Sequence, residues 1–497
     1  MAIDRKDGKP CEDFGDHGSV NIKRGMGDFI KGYYRLSSAP AIVNGKVIFG
    51  GWVADNQHVG EPSGVIRAFD AVTGQFIWAW DMDNPDRHTE PPEGETYSKS
   101  TPNSWGPIAG DNTLGLVYIP LGNSTPDYWG GLRSPASEKY TSSIVAIDVN
   151  TGEPRWHYQT AHHDVWDYDI ASQSSLVDLP INGETVPALV QPTKRGQLFL
   201  FDRRDGKLLA KVEERPVPQG PAEGDWLSPT QPFSAELPAF DETVWSEQSM
   251  WGMTPIDQLW CRIKFRGARY EGPFTPPGTG TSITYPSYQG GSDWGSVSVD
   301  PERRVVIVNW SRLANYTRLI PRVEADKMGV AINKDGVLHS MGLPEPQMGT
   351  PFALTTKTFL SPLNIPCTEP PFGKITAVSL DTRKTVWEKP LGTSRDNGPL
   401  GIPMHVPLPM GVPNTGGSIT TKSGLVFIGA TQEQAIRAFD IRNGRKLWES
   451  RLPAGGQATP MTFISPKTGK QYVVIAAGGN YAIQTKTGDY IMAYTLP

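Results

Sequence analysis

Cysteine is scarce. Only Cys11, Cys261 and Cys367 occur in 497 residues. None stands in a Cys-x-x-Cys pair or a Cys-x-x-Cys-His run, which excludes a zinc ribbon and a covalently attached c-type haem. The three are read as structural thiols; the count would allow one disulfide, but no pairing follows from it. Long apolar runs are missing too. Nothing approaches the roughly 18–20 residues of a membrane-spanning helix, and the first residues carry no signal-peptide core, so the chain as given is expected to be soluble. Basic charge is not in excess: 47 Lys and Arg stand against 52 Asp and Glu, a net charge of -5. With no Lys/Arg block to track a phosphate backbone, nucleic acid is excluded as a partner.

Turn formers and tryptophan are abundant, with 53 Gly, 45 Pro and 15 Trp. Many short apolar runs between turn signals give an all-β reading. A chain this long exceeds one ordinary core unless it is a repeat or a large closed β architecture. A repeat is there: Ala-x-Asp, three further residues, Gly, and Trp four beyond. It reads Ala68-Phe69-Asp70 with Gly74 and Trp78, then Ala146-Ile147-Asp148 with Gly152 and Trp156, then Ala438-Phe439-Asp440 with Gly444 and Trp448. Weaker copies are Phe201-Asp202 with Gly206, lacking the Trp, and Leu380-Asp381 leading to Trp387 over a shortened turn. Asp and Gly flank a tight hairpin in which Gly takes φ > 0, and the Trp offers a flat surface to dock on the next unit. Units that cannot bury their own face must stack, and irregular spacing with long insertions points to a β-propeller. Ala2-Ile3-Asp4 with Gly8 is the tail of the same motif, so the chain is expected to begin inside a unit of a longer parent, leaving strand edges to be paired. No linker divides it, and residues 1–497 are read as one domain.

The insertions carry the chemistry-bearing residues, as loops on a rigid scaffold do. Residues 84–107 end in Asn103-Ser104-Trp105-Gly106, and residues 120–140 hold Leu121-Gly122-Asn123-Ser124-Thr125. Residues 211–260 form a Pro-rich excursion expected to be a cap or surface layer, and residues 319–350 are polar and expected to be mobile. Densest is Ala161-His162-His163-Asp164-Val165-Trp166-Asp167-Tyr168-Asp169-Ile170, with three carboxylates and two imidazoles. Its acids read alone as turn caps or as a base. Its adjacent histidines lack an i, i+4 partner or a cysteine pair, so they are read as structural hydrogen bonders rather than metal ligands.

Asp55-Asn56, Asn103-Ser104-Trp105, the His162–Asp169 run, Thr193-Lys194-Arg195-Gly196, Arg269-Tyr270-Glu271-Gly272 and Leu452-Pro453-Ala454-Gly455-Gly456-Gln457 together resemble the pyrroloquinoline quinone (PQQ)-dependent, membrane-anchored dehydrogenases of the glucose/quinate/shikimate family. The resemblance implies an eight-bladed propeller of W-shaped four-stranded sheets, here lacking the first blade or two and the transmembrane anchor. It implies a parent at the periplasmic face of the inner membrane that passes electrons to ubiquinone.

By the same resemblance, Asp167 is the base that takes the hydroxyl proton. Asp55, Asn56 and Thr125 surround a Ca²⁺ or Mg²⁺ ion, which takes oxygen ligands. Trp105 is the floor on which PQQ stacks, Lys194 reaches its quinone oxygens, and Thr125, Asn309 and Glu433 are further cofactor contacts. Gly290-Gly291-Ser292-Asp293-Trp294-Gly295 looks like the quinate/shikimate branch, whose carboxylate substrate needs a basic residue at the mouth; Arg312, Arg318 and His405 are the candidates. The implied activity is oxidation of a cyclic polyol, quinate or shikimate first and glucose second. The competing readings are a non-catalytic propeller scaffold and an inactive fragment unable to hold PQQ.

Overall fold

A computed structural model describes residues 1–241, 244–335 and 342–496. Six antiparallel sheets follow one another along the chain. The first holds Ala41–Val43, Lys46–Phe49, Ile66–Asp70 and Phe76–Trp80; the second Ala109–Asp111, Leu116–Pro120, Ser143–Asp148 and Pro154–Gln159. The third has three strands, Ser175–Ile181, Glu184–Pro192 and Leu198–Asp202, its fourth reduced to a bridge between Phe201 and Leu208. The fourth holds Ser298–Asp300, Val305–Ser311, Gly373–Ser379 and Thr385–Pro390; the fifth Ser418–Thr420, Leu425–Ile428, Ala435–Asp440 and Lys446–Arg451. The sixth has Met461–Ile464, Gln471–Ala477 and Tyr490–Thr495. Each is ordered by simple meander, so neighbours in sequence are neighbours in the sheet.

The repeat motif builds one turn five times. At Asp4, Asp70, Asp148, Asp202 and Asp440 the backbone N–H donates to the carbonyl five residues on, and the Gly N–H donates back to the Asp carbonyl, all at 2.8–2.9 Å. A sixth copy at Ser465 and Gly469 was hidden by the change of Asp to Ser. Every one of these glycines has φ between 65° and 79°, which a side chain would strain.

Trp78, Trp156 and Trp387 dock as the motif predicts, whereas Trp448 meets Tyr494 of the sixth sheet edge-on. Trp78 Nε1 donates to Val149 O (2.9 Å), Trp156 to Arg203 O (3.3 Å) and Trp387 to Ile441 O (2.7 Å), each on the turn of the following sheet. The indole lies against that turn's glycine: a Cβ on Gly152, Gly206 or Gly444 would sit 2.5–2.7 Å from the ring. Where the third sheet lacks its Trp, Arg383 of the fourth reaches back to Leu209 O at 2.5 Å. The apolar core lies between successive sheets, for example Ile48, Ala68 and Trp78 against Val117 and Ile147, or Val190 and Leu200 against Val306 and Val308.

Because each sheet is a meander, its second-to-third connections and its exits to the next sheet leave at one end, the turns just described at the other. All long insertions share the first end. They contain α1 (Pro135–Tyr140), α2 (Pro255–Arg266) and α3 (Arg322–Lys327), the hairpin of Val212–Pro216 with Thr230–Ser234, and a small sheet of Ser282–Thr284, Asn315–Pro321 and Phe352–Thr358. Two expectations change here. Residues 319–335 and 342–350, expected to be mobile, are ordered by that sheet and α3, with Arg322 donating to Pro346 O, Gln347 O and Phe352 O; residues 336–341 lie outside the described residues. Nor are all three cysteines thiols. Cys261 and Cys367 form a disulfide with Cα atoms 5.5 Å apart, joining α2 to a loop 106 residues on, and Cys11 alone is free. Only the tertiary fold brings that pair together. Among the described residues no helix is long and apolar enough to cross a membrane.

Candidate active site

Lys194 sits on the Thr193–Gln197 turn of the third sheet, closed by Gly196 N–H donating to Thr193 O. Its Nζ donates to Asp167 Oδ1 (2.7 Å) and Asp169 Oδ2 (2.8 Å), and lies 5.4 Å from the centre of the Trp105 ring. Asp169 is held further by Trp105 Nε1 (2.9 Å) and the Asn123 N–H (2.6 Å). Asp167 has φ +62°, a left-handed backbone that aspartate tolerates better than most side chains.

The rest of the run forms its support. Asp164 accepts from Ser142 Oγ (2.6 Å), Trp166 N (2.8 Å) and Tyr168 N (2.7 Å), fixing the bend that presents Asp167. His163 bonds Glu138 (2.9 Å) and Asp225 (2.8 Å), and His162 bonds Gln159 (2.8 Å) and Glu214 (3.1 Å). Both are structural bonders, as read from the sequence.

Gly290 and Gly291 pack on the back of the Lys194 turn. A Cβ on Gly290 would lie 2.8 Å from Lys194 Cα, and one on Gly291 2.7 Å from Gly196 Cα. These two glycines answer to close backbone approach.

Asp55 and Asn56 come from the second-to-third connection of the first sheet, Thr125 and Asp127 from that of the second. Asn56 Oδ1 accepts from the Asp127 N–H (3.0 Å). Burial raises Asp55 well above the ordinary carboxylate range, and the charges of Asp167 and Asp169 raise it further. Asp127 is raised in the same way by burial and by Asp55. Burial also raises Asp167, against the pull of Lys194. Asp169 is desolvated as well, yet its bonds to Lys194, Trp105 and the Asn123 N–H bring it below the ordinary range. Lys194, despite its own burial, is held charged by Asp167, Asp169 and Asp293.

Two more carboxyls enter the cleft. Asp293 is pushed up to about 7 by burial. Glu345 is likewise pushed up to about 7 by burial, against a hydrogen bond from Asn56. Glu345 arrives on a strap whose Gln347 and Met348 N–H groups donate to Asn56 O (2.8 Å) and Gln57 O (2.9 Å).

Carboxylate, amide and hydroxyl oxygens at Asp55, Asn56, Thr125 and Asp127 are the donors a hard cation takes. Thr125 Oγ1 and Asp127 Oδ2 are buried with no hydrogen-bond partner. A dication beside them would relieve both the orphaned oxygens and the carboxylate repulsion, so these residues fit Ca²⁺ or Mg²⁺. Among the described residues no set of three or more His, Cys, Asp or Glu is placed to hold an ion unaided; amide and hydroxyl oxygens are needed. A flat anionic cofactor also fits, with the Trp105 indole as a face and Lys194 as its cation.

Lys194, Asp167 and Trp105 are thus brought together, with Asp55 coupled to them through charge and Asn56 beside Asp55. Asn309 gives its Nδ2 to Asn414 Oδ1 (2.7 Å) and Gly416 O (2.8 Å), leaving a buried Oδ1 unpartnered. Glu433 is placed differently: Thr393, Arg437 and Arg451 engage both its oxygens in a sealed network. Arg312 is buried beside Glu369, Arg318 is bidentate to Glu324 (3.0 and 3.0 Å), and His405 lies on an exposed loop. The sequence reading missed Asp127 and Glu345, left Asp169 among acids read as turn caps or as a base, and named Asp293 only within the Gly290–Gly295 run; Asp127, two residues from Thr125, had a local signal too.

The family model "PQQ: Glucose/ethanol/alcohol dehydrogenase, beta-propeller domain" matches residues 1–473. The chain is 47% identical to the glycerol dehydrogenase large subunit of Gluconobacter oxydans over all of its own length and 68% of that protein's. It is 45% identical to the quinoprotein glucose dehydrogenase of Escherichia coli and 44% to the quinate/shikimate dehydrogenase (quinone) of Acinetobacter baylyi, again over its whole length and over 62% and 61% of theirs. A solved quinohemoprotein alcohol dehydrogenase from Pseudomonas putida shares the fold, with a TM-score of 0.58 at 24% identity over 96% of this chain and 59% of that one.

Proposed function

This chain belongs to the β-propeller family of PQQ-dependent glucose, ethanol and alcohol dehydrogenases, and we propose that it oxidises an alcohol group of a polyol or sugar in the Lys194 cleft. The observation that carries this is Lys194 held between Asp167 and Asp169 over the face of Trp105. When bound, PQQ supplies the two-electron oxidation that no side chain can perform, and the cation polarises it.

The chain's own residues do the rest. Asp167 is the base: burial makes its carboxylate a stronger proton acceptor than a solvated one, and the Asp164 bend fixes its direction. Asp169 keeps its charge, so it holds Lys194 in place rather than competing for the proton. Lys194 offers a buried positive charge to an electron-rich ring, and Trp105 offers the surface on which that ring stacks. Asp55, Asn56 and Thr125, with Asp127, would hold a Ca²⁺ or Mg²⁺ ion. Thr125 and the free oxygen of Asn309 are further contacts.

The relatives' names span glycerol, glucose and quinate/shikimate. Quinate or shikimate, favoured by the sequence reading, would need a cation for its carboxylate. Arg318 is paired with Glu324 at 3.0 Å, and the cleft is lined by acids, which favours an uncharged polyol or sugar. Transfer of electrons to ubiquinone at the periplasmic face of the inner membrane is supported by the quinone named for the Acinetobacter relative and by the Cys261–Cys367 disulfide, which suits an oxidising compartment. The test is reconstitution with PQQ and Ca²⁺ or Mg²⁺, followed by glycerol, glucose and quinate with an artificial acceptor dye. Dye reduction with the neutral substrates is expected. Tight PQQ binding without dye reduction by any of the three would overturn the proposal.

A further inference from the structure

Helix α2 is apolar on two faces. Cys261 faces inward with Trp260 and Phe265 packed beside it, while Ile256, Leu259 and Ile263, spaced i, i+3, i+7, form an outward stripe 82%, 54% and 59% exposed. A surface helix ordinarily turns polar residues to that side. Its N-terminus is capped by Thr254 Oγ1, which accepts from the Asp257 N–H (3.1 Å), and its back is fixed by the Cys261–Cys367 disulfide, so the stripe is held out on a rigid support.

A second apolar element stands beside it. The hairpin around Asn364, which ends at Cys367, accepts the Leu400 N–H on Leu363 O (2.6 Å). That bond anchors a Pro-rich loop on which Leu400 and Ile402 are each 64% exposed, with Val406 and Leu408 also exposed. Both elements lie in exits between sheets, at the end of the propeller where the Lys194 cleft opens.

Charge identifies the occupant. Residues 397–413 contain no acid, and residues 253–269 contain only Asp257, which is buried. Arg262 and Arg266 flank one edge of the stripe and Lys264 the other. Glu247 pairs with the two arginines (2.8 and 3.3 Å), Lys264 lies over Trp260 (5.5 Å), and Arg269 pairs with Glu271 (2.9 Å). Three cations against one carboxylate leave the helix edges positive. Aliphatic side chains on two convex elements, bordered by long basic ones, suit insertion between lipid headgroups. A protein partner would be expected to meet a groove or aromatic anchors.

We propose that α2 and the 399–409 loop form an interfacial membrane-docking surface that sets the cleft end of the propeller against an anionic phospholipid bilayer. This does not depend on the chemistry assigned to Lys194 and Asp167. The test is flotation of the purified chain with phosphatidylglycerol/phosphatidylethanolamine vesicles, with phosphatidylcholine vesicles as the neutral control. The wild-type chain is expected to float with the anionic vesicles and to be released in part by about 0.5 M salt. The triple variant Ile256→Ser, Leu259→Ser, Ile263→Ser should lose at least roughly ten-fold in partitioning, and Leu400→Ser with Ile402→Ser should also weaken it. Both variants should keep the wild-type melting temperature and PQQ-dependent dye reduction, since neither touches the cleft. Failure of the wild type to float would overturn the proposal, as would undiminished flotation of a folded triple variant. So would self-association in sedimentation that the same substitutions abolish, because the stripe would then belong to a second copy.

Discussion

Lys194 and Arg195 are consecutive residues with opposite employments. Arg195 turns into a sealed pocket, where it pairs with Asp241, donates to Pro232 O (3.3 Å) and lies over Phe233 and Phe274 at 4.5 and 4.0 Å. Gln197 takes the other oxygen of Asp241, so one cation meets one anion and no lone pair is wasted. Lys194 turns the other way, into a cleft where Asp55, Asp127, Asp167, Asp169, Asp293 and Glu345 outnumber it. Asp241 is 1% exposed and Asp167 is 18% exposed. A closed, balanced ion pair is a strut; an open, unbalanced one has room for a ligand and a reason to bind a cation.

The largest effect expected from this contrast is on turnover. Asp167→Asn should lower the rate of dye reduction by roughly 10²–10⁴-fold while PQQ still binds; an undiminished rate would break the assignment of Asp167 as base. Next is stability. Arg195→Met leaves Asp241 buried without its cation and should cost about 3 kcal/mol in urea unfolding, whereas Lys194→Met should cost far less, because Asp167 is 18% exposed and stays within reach of water. Equal costs would erase the distinction.

Third, Ca²⁺ or Mg²⁺ should raise the melting temperature of the apo chain by neutralising the acidic side, about 2.7 kcal/mol when the ion is at a hundred times its Kd. Asp55→Asn should abolish the gain, with no assay of activity needed. The smallest effect is in pH. Asp293 is held near 7 in the fold and ionises near 3.9 when unfolded. Between those values the folded state binds the extra proton, so its contribution to stability is present at acid pH and is lost as pH rises towards 7. Asp293→Asn should flatten the stability curve over that window.

How much of this could be read in the chain depended on distance along it. The Asp–Gly turn and the docked Trp lie within nine residues, so their geometry was legible. Asp167, Lys194 and Trp105 were legible only through resemblance, because nothing local distinguishes Lys194 from a solvated lysine. Glu345 stayed hidden because it meets Asn56 across nearly three hundred residues of chain, and the Cys261–Cys367 pair for the same reason. Glu433 is engaged by Arg437, four residues on, a pairing the sequence reading did not foresee.

The joint between sheets has one further consequence. Three of these joints are made of an indole from one unit and a bare backbone from the next, so neither half is self-sufficient and each such seam has a direction. A lesion at one glycine therefore unseats the tryptophan upstream of it as well as its own hairpin. Units of this kind cannot be shuffled like beads; their succession along the polypeptide is written into how they lock.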